Sequence, residues 1–195
     1  MAKITKNVWF RCIFTLLIIA VISGGLLSVL NDVLYVSSEE RTERAIAKIY
    51  GEKVSVDEIV LDAASDDEKI TYDFGTINKI YKIDSDLLFQ TTGFKGYKNG
   101  TVTLWIKVTE EKGIYSINKV VLEDYTKQTL MSKFGNEYYN GFVLTDVTAA
   151  YKNGEGLFSV SADSENSNPN TGATYTATAH CNAVNCVLKY LGEKK

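Results

Sequence analysis

The sequence predicts an α+β protein: an N-terminal transmembrane helix, then an antiparallel-sheet domain ending in a C-terminal helix. Three observations carry this reading. Residues Cys12 to Leu30 include no charged side chain. From Ile77 to Glu123 the pattern is strand-like, with turn residues between the runs. Ala177, Val184, Val187, Leu188 and Leu191 then recur at helical spacing near the C-terminus. Grouped strands flanked by helices suit α+β architecture rather than alternating β and α units.

The uncharged run is extended by Val33 and Leu34, giving an expected span over 12–34. A bilayer needs about 20 apolar residues, so this length suffices. Residues 1–11 carry Lys3, Lys6 and Arg11 and no acid. The positive-inside rule therefore makes 1–11 a cytoplasmic tail and places the rest of the chain outside. No Ala-x-Ala site directly follows the run, and no cysteine follows it to serve as a lipid-anchor site. The expectation is an uncleaved single-pass anchor in the cell membrane, with the lipid bilayer as a partner.

Residues 35–69 read as a connecting helix and an acidic segment. Ser37-Ser38-Glu39-Glu40 has capping-box spacing, with Ser37 as N-cap, and Gly51 marks the helix end. Ala45, Ile46 and Ile49 form an apolar face, and the helix is expected to stand the outer domain off the membrane. Glu52, Asp57, Glu58, Asp62, Asp66, Asp67 and Glu68 follow without EF-hand spacing, the pattern of a solvated stretch. Setting aside Lys3, Lys6 and Arg11 leaves 18 basic residues against 24 acids. That balance disfavours nucleic acid or anionic lipid as a partner.

Ile77–Ile83, Leu87–Phe94, Thr101–Val108 and Tyr115–Glu123 are rich in β-branched and aromatic residues and predict four strands. Asn99-Gly100 predicts a tight hairpin, because both residues tolerate positive φ. Thr101, Thr103 and Trp105 alternate with Val102, Leu104 and Ile106, which suits a sheet covered on one face. Thr129–Tyr139 predicts a short helix, Val143–Ala149 and Gly156–Ala162 further strands, and Asp163–Asn170 a polar loop.

No Walker loop, G-x-G-x-x-G or spaced Ser/His/Asp set is present, so no catalytic residue is assigned. His180 is the single histidine and cannot build a zinc site unaided, so no metal is expected. Cys181 and Cys186 lie about 140° apart around a helix, which rules out a disulfide between them. His180, Trp105 and Tyr97 read as packing residues, and both helix cysteines as small buried apolar ones. Asn170-Thr171-Gly172-Ala173-Thr174-Tyr175-Thr176-Ala177-Thr178 has two readings. It is an anion site on a helix N-terminus, or a hydroxyl-rich helix cap.

Three ordered features carry a family resemblance over roughly residues 8–190. The first is Ile80-Tyr81-Lys82, followed by Thr92-Gly93-Phe94-Lys95-Gly96-Tyr97-Lys98-Asn99-Gly100 and the strand from Thr101 to Val108. The second is Lys112-Gly113-Ile114, the strand Lys119-Val120-Val121-Leu122-Glu123, and Gln128-Thr129-Leu130-Met131. The third is Thr171-Gly172-Ala173-Thr174 before the last helix. Together they resemble the extracytoplasmic FMN-binding domain of the G subunit of Rnf electron-transport complexes. The C subunit of the sodium-translocating NADH:quinone reductase is similar.

The resemblance implies an FMN-binding domain over 70–195. In that family a flavin transferase joins FMN through a phosphoester to the last threonine of a (Ser/Thr)-Gly-Ala-Thr motif, here Thr174. Thr171, Gly172 and Ala173 would shape the turn, and Gln128, Thr129 and Leu130 would make a second contact with the flavin. The implied role is a flavoprotein subunit relaying electrons in an ion-translocating complex, with other membrane subunits and the flavin transferase as partners. As such it is not an enzyme alone. The alternatives are a stand-alone extracytoplasmic flavin carrier and a non-flavinylated structural or interaction module. The chain departs from the family at Asn168, where an acid is usual, and at Ala177, where serine is frequent. It also has Leu130-Met131-Ser132-Lys133, without proline or glycine, where the family commonly reads Pro-Gly-Leu-Gly.

Overall fold

The computed structural model describes residues 8–34, 37–51, 69–151, 156–161, 166–169 and 172–193. Thr171, the acidic stretch 52–68 and residues 163–165 and 170 of the polar loop lie outside the described residues. The chain divides into two compact units, Met1–Glu43 and Arg44–Lys195.

In the first unit, helix α1 spans Val8–Leu34. Its segment Val8–Asn31 is long and apolar enough to cross a membrane. It begins four residues before the expected span and so includes Arg11. Nothing in Val8-Trp9-Phe10 breaks a helix, and an arginine near a helix end can extend its charge toward the interface. Helix α2, Ser38–Tyr50, starts as the sequence predicts: Ser37 Oγ accepts from the Glu40 N–H at 3.1 Å. It ends at Gly51, whose φ of +84° suits a glycine C-terminal stop.

The second unit is built on an antiparallel meander in the order β1 (Ile70–Tyr72), β2 (Gly75–Ile83), β3 (Asp86–Gly93), β4 (Val102–Glu111) and β5 (Ile114–Tyr125). The four predicted strands are all present, and β1 adds a short edge strand. Two-residue turns at Asp84-Ser85 and Lys112-Gly113 join β2 to β3 and β4 to β5. Positive φ at Asp84, Lys112 and Gly113 is what such tight hairpins require. Later come helix α3 (Asn136–Asn140), the single turn α4 (Val147–Ala150) and the long helix α5 (Thr174–Glu193).

Both faces of the sheet are covered. Ile77, Phe89, Leu104, Ile106 and Val120 pack with Ala177, Val184, Val187 and Leu188 of α5. On the opposite face Tyr81, Ile83, Leu88, Trp105 and Val121 pack with Ile46 and Ile49 of α2. The end of α2 is therefore part of the folded domain and not a free spacer. Lys119 fixes it, donating to the carbonyls of Lys48 and Ile49 at 3.2 and 3.0 Å. Lys107 contributes from the same face, with its ammonium 2.8 Å from Asp86 and 4.3 Å from the Tyr50 ring centre. Trp105 is fully buried here, in its expected packing role.

Four local expectations are corrected. The helix expected over Thr129–Tyr139 is instead a 3₁₀ turn at Met131–Lys133 and then α3, with Phe134 and Gly135 non-helical between them. The segment predicted as a strand over Val143–Ala149 makes only an isolated bridge, Leu144 to Ile117, before turning into α4. Asp146 is the cause: its side chain accepts from Ala149 N–H at 2.8 Å and starts a helical turn. The segment predicted as a strand from Gly156 reduces, in its described part, to one bridge at Ser159, because Asn185 of α5 binds both N–H and C=O of Phe158. Asn99-Gly100 does not form a two-residue hairpin. Residues Tyr97–Asn99 make a 3₁₀ turn, with Lys98 and Asn99 left-handed and Gly100 extended.

Gly93 sets how closely α5 can approach the sheet. A methyl group there would overlap the Ala179 carbonyl and the Ala183 backbone nitrogen. Its cross-strand partner Gly75 faces Cys186 Sγ in the same way. Overpacking a core costs about 1–3 kcal/mol even where side chains can yield, and here backbone must yield. Gly93→Ala should therefore lower unfolding stability by at least the upper end of that range in urea titration. Gly135→Ala, where nothing lies within 4 Å, should stay within about 0.5 kcal/mol of the parent.

Candidate functional site

The threonine motif sits where three segments meet: the β3–β4 connection, the stretch after β5, and the first turn of α5. Gln128 joins them. Its Oε1 accepts from Tyr97 N–H at 3.1 Å and from Thr176 Oγ1 at 3.0 Å. Its Nε2 donates to the Thr126 carbonyl at 2.9 Å. Gly96 and Gly100 lie against the same amide, and a Cβ at either would collide with it. These glycines are needed for close approach rather than for their own φ. Gln128 is thus a buried tie, and its polar atoms are spent on the fold.

Thr174 is exposed and is the first residue of α5. Ala173 directly precedes it and is buried, and its carbonyl accepts from Ala177 N–H at 2.9 Å, the first bond of the helix. The residue at the capping position is therefore an alanine, with no side-chain oxygen for the opening N–H groups. Of the two readings of this stretch, Thr174 does not occupy the capping position. Gly172 has a φ of +79°, and a Cβ on it would lie 2.9 Å from Lys133 Nζ. Thr174 thus stands at the positive end of a 20-residue helix, close in sequence to a turn that touches a lysine ammonium. An exposed hydroxyl in this setting can carry a phosphate-bearing group.

Thr129 and Leu130 are brought alongside: the Thr129 carbonyl accepts from Thr176 Oγ1 at 3.4 Å. Leu130 is left-handed, at a φ of 61°, and is 49% exposed. Tyr175, next to Thr174, is 67% exposed. Gln128, Thr129, Gly172, Ala173 and Thr174 thus form one neighbourhood.

Beneath it lies a polar chain that the sequence did not signal. His180 is fully buried. Its Nδ1 lies 2.8 Å from the Thr176 carbonyl, which can only accept, so Nδ1 bears the hydrogen. Nε2 then accepts from Tyr139 O–H at 3.2 Å. The Phe134 ring stacks on the imidazole at 4.5 Å. Burial, only partly offset by the Thr176 carbonyl, lowers the His180 pKa from 6.5 to about 4. Burial likewise pushes the Cys181 and Cys186 thiols up to about 12, leaving them unreactive.

Asn168 is buried too. Its Nδ2 donates to the Tyr138 carbonyl at 3.0 Å, and its carbonyl accepts from the Tyr138 hydroxyl at 3.4 Å. Among the described residues no group of three or more His, Cys, Asp or Glu could hold a metal ion.

No family model, curated protein or solved structure matches the chain.

Two outcomes follow from this geometry. Thr176→Val removes the donor to Gln128 and should cost about 1 kcal/mol, while Thr176→Ser should retain most of the parent stability in thermal melts. His180 binds its proton more readily in the unfolded chain, so acid favours unfolding. Stability should fall as pH drops from 6.5 toward 4, by on the order of 3 kcal/mol in all from this residue. His180→Gln should flatten that part of the stability–pH curve.

Proposed function

We propose that this protein is a membrane-anchored flavoprotein subunit that carries FMN on Thr174 and relays electrons within an Rnf-type ion-translocating complex. The observation that carries the reading is the state of Thr174. It is an exposed hydroxyl on the first residue of a helix whose preceding position is a buried alanine, after a left-handed glycine. This is the arrangement a modifying enzyme needs. The hydroxyl is accessible, small residues precede it, and the helix dipole favours the phosphate once attached.

FMN, when bound, supplies the electron-accepting and electron-donating chemistry. The chain's own residues attach it and hold its surroundings. Lys133 and the first N–H groups of α5 favour its negative charge. Thr129 and Leu130 border the attachment point. Gln128 acts indirectly by fixing the turn, since its amide is committed to Tyr97, Thr126 and Thr176. The apolar length of α1 supports the membrane anchor, and the basic residues before it support a cytoplasmic N-terminus with the domain outside.

A second reading is favoured by Asn168. At the position where the resembled family usually has an acid, this chain has an amide buried against Tyr138. On that reading the domain is a non-flavinylated interaction module.

The deciding experiment is co-expression with a flavin transferase, followed by denaturing gels and intact mass. The expected result is a fluorescent band, heavier by one FMN less water, with the label on the peptide containing Thr174 and lost in Thr174→Ala. An unmodified chain beside a labelled control substrate would favour the interaction module.

A further inference from the structure

We propose that the end of the domain around Thr174 is a docking surface for an acidic protein partner, built from Lys95, Lys98, Lys127 and Lys133. The proposal rests on the reading that Thr174 must be reached by other proteins.

The segments Phe94–Thr101, Thr126–Gly135 and Gly172–Thr178 border Thr174 and meet at Gln128. They hold these four lysines and no acid, in a chain whose acids outnumber its lysines and arginines by 24 to 21. Each lysine is tied to the meeting point by a neighbour. Lys95 precedes Gly96, which lies against the Gln128 amide, and Lys98 follows Tyr97, whose N–H binds it. Lys127 precedes Gln128 and lies against Gly100, and Lys133 reaches Gly172. The acids on adjoining elements at this end are Asp73, Glu123, Asp124 and Glu137, and Glu123 accepts from Gln90 Nε2. At the opposite end of the meander, Asp84, Asp86, Glu110 and Glu111 accompany Lys82 and Lys112. Within the three segments themselves the charge is wholly basic, and they lie at the end that presents Thr174.

The backbone supplies an independent observation. Among the described residues seven non-glycine residues have positive φ, and five of them, Lys95, Lys98, Asn99, Lys127 and Leu130, belong to these segments. Asp84 and Lys112, the other two, sit in two-residue hairpin turns, where positive φ is ordinary. Lys95, Lys98 and Lys127 are exposed. At left-handed positions glycine or asparagine is cheaper, and exposed lysine side chains return no core burial. Strained conformations held without a packing reward are typical of sites kept for binding.

The occupant is an acidic protein surface. The lysines stand on exposed loops and so suit a broad complementary surface better than a small anion. Such charge patterns steer association and set its salt dependence. Seating this end on a lipid surface would instead cover Thr174.

The test uses the full chain in neutral nanodiscs, with poly-L-glutamate as the acidic probe. The variant is Lys95→Asn/Lys98→Asn/Lys127→Asn, since asparagine tolerates left-handed backbone and an unchanged melting temperature verifies the fold. Parent protein should bind the probe at low salt, weaken steeply as salt rises, and bind roughly ten-fold more tightly than the triple variant. With a flavin transferase that labels the parent, the variant should show a raised KM and unchanged kcat. Absence of probe binding, or equal binding by the variant, would overturn the proposal. So would tighter binding to phosphatidylserine vesicles than to the probe, which would indicate a membrane-facing end. The probe measurement needs no flavin. If the parent binds the probe yet is never labelled, the flavin reading fails and the docking surface stands.

Discussion

The close approach of α5 to the sheet at Gly93 is the constraint on which the rest of the second unit depends. Backbone meets backbone there, with Ala179 and Ala183 on the helix and glycine on the strand. That contact fixes the height of the helix over the sheet. The height in turn decides that Val184, Val187 and Leu188 reach the strands, and that the first turn of α5 arrives level with Gln128. Gly75, paired across from Gly93, extends the same floor beneath Cys186. Small residues at both surfaces let the elements approach without voids, and dense packing then supplies the dispersion and burial terms.

Above that floor, the region around Thr174 is held by polar groups that have been taken out of water and fully paired. Gln128 bonds to backbone from two segments and to Thr176. Thr176 bonds on to Thr129 and, through its carbonyl, to His180, and His180 ends on Tyr139. A buried network of this kind stabilises only when each member is satisfied, and it then fixes one geometry. Thr174 itself stays outside the network with its hydroxyl exposed.

The candidate residues stand out in the sequence as a stretch but not as a set of partners. Gly172, Ala173 and Thr174 stand out from their order before a helix, and Gln128-Thr129 from their place after a strand. Nothing in the spacing shows that Gln128 spends its amide on Gly96–Gly100 and Thr176, because those segments are 28 or more residues away from it or held by atoms with no periodic signature. His180, read as a structural residue, is buried and hydrogen-bonded through both ring nitrogens. Asn168, visible as a departure from the resembled family, proves to be a buried tie to Tyr138. The Asn99-Gly100 hairpin signal misled because Gly100 is demanded by contact with Thr126 and Gln128, a tertiary requirement, and not by a turn dihedral.

The sequence by itself determined the apolar helix, the start and end of α2, four strands of the meander and the extent of α5. Each of these rests on local causes: side-chain periodicity, capping and turn residues act within a few positions of one another. Only the tertiary structure decided that α2 packs Ile46 and Ile49 onto the second face of the sheet. It also turned Val143–Ala149 into a bridge and a helical turn, and brought the two lysine-bearing loops together at Gln128. Those outcomes depend on which surfaces remain to be buried once the sheet has formed, and that is a property of the folded chain as a whole.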